Sequence, residues 1–432
     1  MSEDEQDVIV VGGGLAGLTA ARELRHAGRG VLLLEARDRV GGRAYTAQLD
    51  GIDVELGGAF VHWFQAHMFA ELTRYGLSYR PMPLPSQWAY RSQRRRHDST
   101  VEDMAPRMQD AFARLFADAR EVFPLPYQPL ALADAVAAVD QLSVQDRIDS
   151  SGLNVEERDM VNAVLSTSCS ARCSESALTS MLHDYSVAGW DFGLMLDALG
   201  AFGLRTADLV TALVDDGNAT VRTSSPVDAV EQRGEQVKVI TRDGNEYTSS
   251  AAVVAVPLNT LRDIAFTPAL EPSKRNAVND GQASHGLKVS ARVRGEREPI
   301  FSMAPDDEPL TFLAAVDVLD DDSQVIVAFG PDARRLPPTD ESAVRGAIED
   351  LLPSHARVDA MVTHDWCADE FSRGTWSVFR PGQLVDALEV LQAPHGRIVF
   401  AGSDIANGWN GFMDGAIESG LSAARSVSQL LK

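Results

Sequence analysis

At 432 residues the chain has room for two or three domains and a large core, and 45% hydrophobic with 23% charged residues is an ordinary globular composition. A net charge of −23 argues against nucleic acid or an anionic membrane surface as partner. No apolar run reaches the roughly 18 residues of a membrane span, and no signal-peptide pattern fits the acidic opening residues. Three cysteines form neither a disulfide framework nor a zinc spacing, so a cytoplasmic location and no metal are expected.

The first element is predicted from Val8-Ile9-Val10-Val11, a β-branched run suited to a strand buried on both faces. It leads into Gly12-Gly13-Gly14-Leu15-Ala16-Gly17, a helical pattern over 18–27, and a second apolar run over 31–34 ending on Glu35. Strand, Gly-x-Gly-x-x-Gly turn, helix, strand and acid are the ordered parts of a dinucleotide site. Gly12 permits the tight turn, Gly14 lets backbone approach a pyrophosphate, and Gly17 lets the helix pack against the strand. The helix N-terminus offers N–H groups to phosphate, and Glu35 is placed for the ribose hydroxyls. A glycine-rich turn without a ligand is the plainer account, and it leaves the ordered context unexplained.

Ala36-Arg37-Asp38-Arg39-Val40-Gly41-Gly42-Arg43 chooses between nucleotides. An NAD site needs no second glycine pair followed by arginine. The pyrophosphate of an extended FAD passes such a loop, where Arg43 and Arg37 would supply charge-assisted hydrogen bonds beside Ala36 and Gly42. An exposed basic loop is the bland alternative. Glu55-Leu56-Gly57-Gly58-Ala59-Phe60 then provides two glycines where backbone must pass close to a flat ring.

Residues 81–199 are predicted to be helix-rich, broken by "PMPLP" and "FPLPYQP", with Arg94-Arg95-Arg96-His97 a solvated loop tip. From Asp208 the earlier pattern returns: a helix, Thr220-Val221-Arg222, a strand through Val227, a hairpin turning on Asp243-Gly244, and a buried strand over 251–256. Residues 287–376 alternate as an antiparallel sheet would. Asp320-Asp321-Asp322 is expected to be a surface turn rather than a calcium site.

Taken together, "VVGGGLAGLTAARELRHAG", "LLLEARDRVGGRAYT", "VELGGAF", "AAVVAVPLNTL" and "GRIVFAGSDIANGWNGFMDGAIESGLSAA" resemble the flavin-dependent monoamine oxidase family. The likeness spans almost the whole chain and is weakest over 81–200. In "GLKVSARVRGER" and "HDWCADEFSRGTW" it is most similar to the branch that oxidises 6-hydroxynicotine. The resemblance implies an α/β fold with a Rossmann-like FAD-binding domain of the glutathione-reductase type, discontinuous over 1–80, 200–286 and 377–432. An α+β substrate domain, 81–199 and 287–376, would be interleaved with it and contain an antiparallel sheet and a helical part. Gly58, Ala59, Val227, Gly402, Ser403, Asp404, Gly411 and Met413 would complete the FAD contacts, Val227 through its backbone to adenine.

The same resemblance gives Lys288 the role of holding a water against the flavin, and Trp376 and Phe412 that of caging the substrate nitrogen. A lysine heading an apolar strand is otherwise a snorkelling structural residue, and aromatics at segment ends are otherwise core. Phe412 stands where tyrosine is common in the family, which removes one polar handle. Thr375 occupies the position of a cysteine that some relatives bond to flavin, so FAD is expected to be non-covalent. The implied reaction is hydride removal from the carbon next to an amine nitrogen, giving an imine or iminium, with O2 returned as hydrogen peroxide. The expected substrate is a small secondary or tertiary amine such as 6-hydroxynicotine. The alternatives are a polyamine or arylalkylamine, or a desaturase or porphyrinogen oxidase on the same fold. A flavin-binding module without turnover is the third class. Homodimers are common in the family, and no sequence signal decides for one.

Overall fold

The computed structural model describes residues 5–432. Val8, Ile9 and Val10 have no exposed surface because their strand, Glu5–Val11, lies inside the larger of two main sheets. Val31–Leu34 and Glu246–Val254 flank it, both parallel. Thr220–Arg222 extends one side, and Gln236–Thr241, Val227–Arg233 and Ala265–Thr267 the other. Helices Leu15–His26 and Met413–Leu430 pack together and bury their small and branched residues in one core with Val8, Val10, Leu33 and Val253.

The sequence suggests a hairpin arm followed by a separate buried strand, and the structure makes them one element, Glu246–Val254. Its beginning pairs antiparallel with Gln236–Thr241, while Ala252, Val253 and Val254 pair parallel with Ile398–Phe400. Two partners thus share one edge in succession, so no break is needed where the pattern changes from half-buried to fully apolar. The turn is also longer than Asp243-Gly244. Thr241 N donates to Asn245 O (3.0 Å), and Gly244 at φ +87° supplies the left-handed residue of a three-residue turn.

The second sheet runs Arg357–Thr363, Leu287–Arg294, Ser323–Gly330, Phe312–Val318, Phe301–Met303, Gln87–Ser92, Arg95–Thr100. It is antiparallel except where Phe301–Met303 meets Gln87–Ser92 in parallel. The stretch expected to be helical therefore lends a hairpin to this sheet. Arg95, Arg96 and His97 lie in its edge strand, and only Gln93 and Arg94, both with positive φ, make the turn. Arg94, Arg95 and Arg96 are exposed, and Arg96 donates to the carbonyl oxygens of Leu351 (2.8 Å) and Leu352 (3.3 Å). The rest of 101–200 is mainly helical, with Val101–Leu115, Val155–Cys169 and Leu178–Val187 burying a core around Met108, Phe112 and Leu182.

Candidate active site

A cavity of about 980 Å³ begins at the glycine-rich turn and reaches the face of the second sheet. At the turn the three motif glycines do different work. Gly12 has φ +101°, and a Cβ on it would sit 2.6 Å from Ala255 O. A Cβ on Gly17 would lie 1.9 Å from Gly12 O, so this glycine serves helix packing and does not line the cavity. Gly14 does line it, and a Cβ there would meet nothing closer than Gly42 Cα at 3.9 Å. The protein leaves room for a side chain at Gly14, and that room is the cradle itself. The helix Leu15–His26 starts with no capping side chain and no acid in its first turn, which leaves its positive end to the cavity.

Glu35 is 3% exposed, and its carboxylate is held by backbone: Gly13 N donates to Oε2 (2.7 Å) and Arg37 N to Oε1 (2.8 Å). Arg37 lines the cavity, yet its guanidinium donates to Asp369 Oδ1 (2.8 Å) and Ser372 Oγ (3.0 Å). Arg43 reaches across the fold, donating from Nη1 to Thr375 O (2.7 Å) and from Nη2 to Asp404 Oδ1 (2.7 Å) and Ser403 Oγ (3.2 Å). Asp404 itself lies behind the wall, where its second oxygen accepts from Leu258 N (2.9 Å). Ala36, Gly42, Gly58, Ala59, Val227, Gly402, Ser403, Gly411 and Met413 all line the cavity. A bare helix N-terminus, a buried acid beside it and a Cβ-sized gap at Gly14 fit an extended dinucleotide of the FAD type.

At the far end Lys288 is 4% exposed and donates from Nζ to Gly57 O (2.6 Å). Burial lowers its pKa to about 8, with the Glu55 carboxylate pulling weakly the other way. The rings of Phe60 and Phe329 lie 5.5 and 5.8 Å from Nζ. Trp376 is fixed by its Nε1–H to Ser168 O (2.6 Å) and meets Phe329 edge-on at 5.9 Å. Phe412 meets Trp409 edge-on at 5.1 Å. Lys288, Trp376 and Phe412, which lie apart in the chain, share this cavity. Thr375 also lines it and is 4% exposed, its hydroxyl within hydrogen-bond distance of Ser170 Oγ (2.7 Å) and Ser284 Oγ (2.9 Å). None of the three cysteines lines the cavity.

Several lining residues escaped the sequence reading. Met82, Leu84 and Trp88 come from the "PMPLP" stretch and the strand after it, and Thr167 and Asp197 from the helical region. Exposed Trp63, Leu84 and Asp197 mark where the cavity opens. His62 is buried at the wall, its ring tilted 46° against Phe64 at 3.9 Å between centroids, with Nε2 3.8 Å from Asp197 Oδ2. Burial lowers its pKa, and Asp197 opposes that shift. A titratable residue inside the apolar run Ala59-Phe60-Val61-His62-Trp63-Phe64 was the available signal.

The family model for flavin containing amine oxidoreductases matches residues 15–428. A nicotine dehydrogenase from Pseudomonas putida is 37% identical over 99% of this chain and 89% of its own length. The (S)-6-hydroxynicotine oxidase of Paenarthrobacter nicotinovorans is 32% identical over 98% of this chain and 99% of its own. Cyclohexylamine oxidase from Brevibacterium oxydans superposes with a TM-score of 0.85 over 99% of each chain; at 23% identity this shows likeness of fold alone.

Proposed function

This chain belongs to the flavin containing amine oxidoreductases, and from that premise we propose that it oxidises a small secondary or tertiary amine of the nicotine type using non-covalent FAD. The observation that carries the reading is the continuity of one cavity from the Gly14 cradle to Lys288, Trp376 and Phe412. Bound FAD supplies the acceptor for a hydride from the carbon next to nitrogen, so that an imine or iminium leaves for hydrolysis and O2 is returned as hydrogen peroxide.

The chain's residues would divide the work as follows. Residues 1–80, 200–286 and 377–432 form the FAD-binding domain, Rossmann-like and of the glutathione-reductase type, and 81–199 with 287–376 the substrate domain. Gly12, Gly14 and the helix after them receive the pyrophosphate, Glu35 the ribose, and Val227 the adenine, with Gly17 keeping the helix close. Arg43, anchored by Asp404, gives positive charge to the wall beside Ser403. Met413 and Gly411 border the flavin, and Lys288 holds a water beside it. Trp376 and Phe412 orient the amine, each such contact being worth roughly 0.5–2 kcal/mol, and keep bulk water away from the reacting carbon. The apolar chamber around Met82, Trp88, Phe301 and Phe312 suits an aryl or heteroaryl body.

Anaerobic mixing of the yellow protein with nicotine, 6-hydroxynicotine, putrescine and benzylamine tests this directly. Bleaching of the flavin band by the first two supports the reading. Bleaching by putrescine alone discards the substrate class, and bleaching by no amine while dithionite still reduces the flavin discards the reaction. An oxygen electrode then decides whether O2 or a separate electron carrier takes the electrons, a question raised by the dehydrogenase name of the first relative.

A further inference from the structure

Asp414, in the first turn of the helix Met413–Leu430, has a side chain with no exposed surface. One carboxylate oxygen accepts from Met68 N (2.7 Å), and the other lies 3.2 Å from His67 Nδ1. Met68 and His67 belong to another helix, Ala66–Tyr75, so the contact ties two elements together. The His67 side chain is 26% exposed, which lets it exchange protons with solvent. Around it stand Glu418 and Arg425 of the long helix, and the Tyr127 ring, 6.1 Å away. Glu418 is engaged by the backbone N–H groups of Asn407 (3.2 Å) and Gly408 (2.9 Å). The hydrogen bond to Asp414 raises the His67 pKa above its ordinary value; burial and Arg425 oppose, and Glu418 assists.

Gly411, Phe412 and Met413, just ahead of Asp414, form cavity wall, and the helix opens there with no side-chain cap. Its N-terminus presents roughly half a positive charge. A buried carboxylate one residue further along offsets that charge, and a proton on His67 offsets the carboxylate. Such charges act over several ångströms where water is excluded.

We propose that His67 and Asp414 tune the redox potential of the flavin, a proton on His67 favouring the reduced cofactor at the helix end that Asp414 otherwise makes less positive. The proposal rests on the reading that this helix faces the flavin. Linkage requires the converse: reduction must favour protonation of His67. Two electrons and one proton enter the cofactor, from the amine in turnover. A further proton goes to His67 Nε2, since Nδ1–H already donates to Asp414. This uptake occurs above the ordinary histidine value of about 6.5, between the pKa values of His67 with oxidised and with reduced flavin.

Spectroelectrochemical titration of the flavin-loaded protein from about pH 5.5 to 9 tests it in wild type, His67→Gln and Asp414→Asn. Wild type is expected to fall in potential with pH more steeply than one proton per two electrons across the His67 window. His67→Gln should lose that extra slope and follow, at every pH, the straight extension of the wild-type high-pH limb, so that it lies below wild type at low pH. Asp414→Asn keeps an oxygen for Met68 N and should raise the potential while flattening the step. A His67→Gln protein that tracks wild type at every pH overturns the proposal and leaves the pair a structural anchor; it decides the matter even if Asp414→Asn does not fold. A wild-type flavin that no amine reduces would sink the amine-oxidising reading without touching this measurement.

Discussion

Gly14 and Gly17 differ in what they face, and substitution should separate them. Gly17→Ala forces a methyl into Gly12 O at 1.9 Å, a clash with backbone that cannot rotate away. It should cost at least about 2–3 kcal/mol of stability, read from a urea melt. Gly14→Ala has 3.9 Å of clearance and φ −75°, so the melt should barely move. Flavin affinity should instead fall at least about tenfold, equivalent to roughly 1.4 kcal/mol, measured by flavin titration. The motif spacing identifies both glycines without telling them apart, because the difference lies in what each absent Cβ would touch. At Thr375, a hydroxyl cannot make a thioether, so acid precipitation should leave the yellow colour in the supernatant; colour on the pelleted chain would refute non-covalent binding.

Elements matter where they bridge. Arg43 lies in the loop after Val31–Leu34, yet it holds Thr375 O, Ser403 Oγ and Asp404, from the other end of the chain. Arg43→Met leaves the Asp404 carboxylate, 4% exposed, without its cation, and should destabilise the fold by about 3 kcal/mol in the same melt. The loop sequence shows an arginine available to phosphate but not its anchor, since hydrogen bonds across more than 300 residues leave no local spacing to read. The strand Glu246–Val254 shows the same limit. Its apolar and alternating halves were both visible, but their fusion depended on Ile398–Phe400 arriving at one edge. Likewise, the hairpin Gln87–Ser92 with Arg95–Thr100 was hidden because it completes a sheet whose other strands begin at Leu287.

At the scale of the whole molecule, Lys288 makes stability rise with pH, and the substrate amine makes turnover rise with it. The Lys288 ammonium is disfavoured by burial, with a pKa near 8 against about 10.4 for an unfolded lysine. The unfolded chain binds the extra proton between those values, so this group opposes folding below about pH 8 and the penalty fades as pH rises. Melting temperatures of Lys288→Met should therefore gain less than wild type between about pH 8 and 10. The variant should also reoxidise more slowly in a stopped-flow trace with oxygen, by roughly tenfold or more if Lys288 holds the water proposed for it. Flavin reduction should rise with pH as the amine loses its proton, and a flat profile would count against hydride removal from the neutral amine.

The sequence by itself determined the first strand–turn–helix–strand unit, because a strand, a tight turn and a helix are specified by neighbours: β-branched runs, glycines and periodicity act over a few residues. It also placed Lys288, Trp376 and Phe412 on named segments through family likeness. Only the tertiary structure decided that these three meet one cavity, that Arg37 is engaged by Asp369 while Arg43 leans on Asp404, and that His62, Asp197 and His67 stand at its walls or behind them. Those facts depend on side chains brought together from distant segments by packing, and packing follows from burying the whole apolar surface at once rather than from any local pattern.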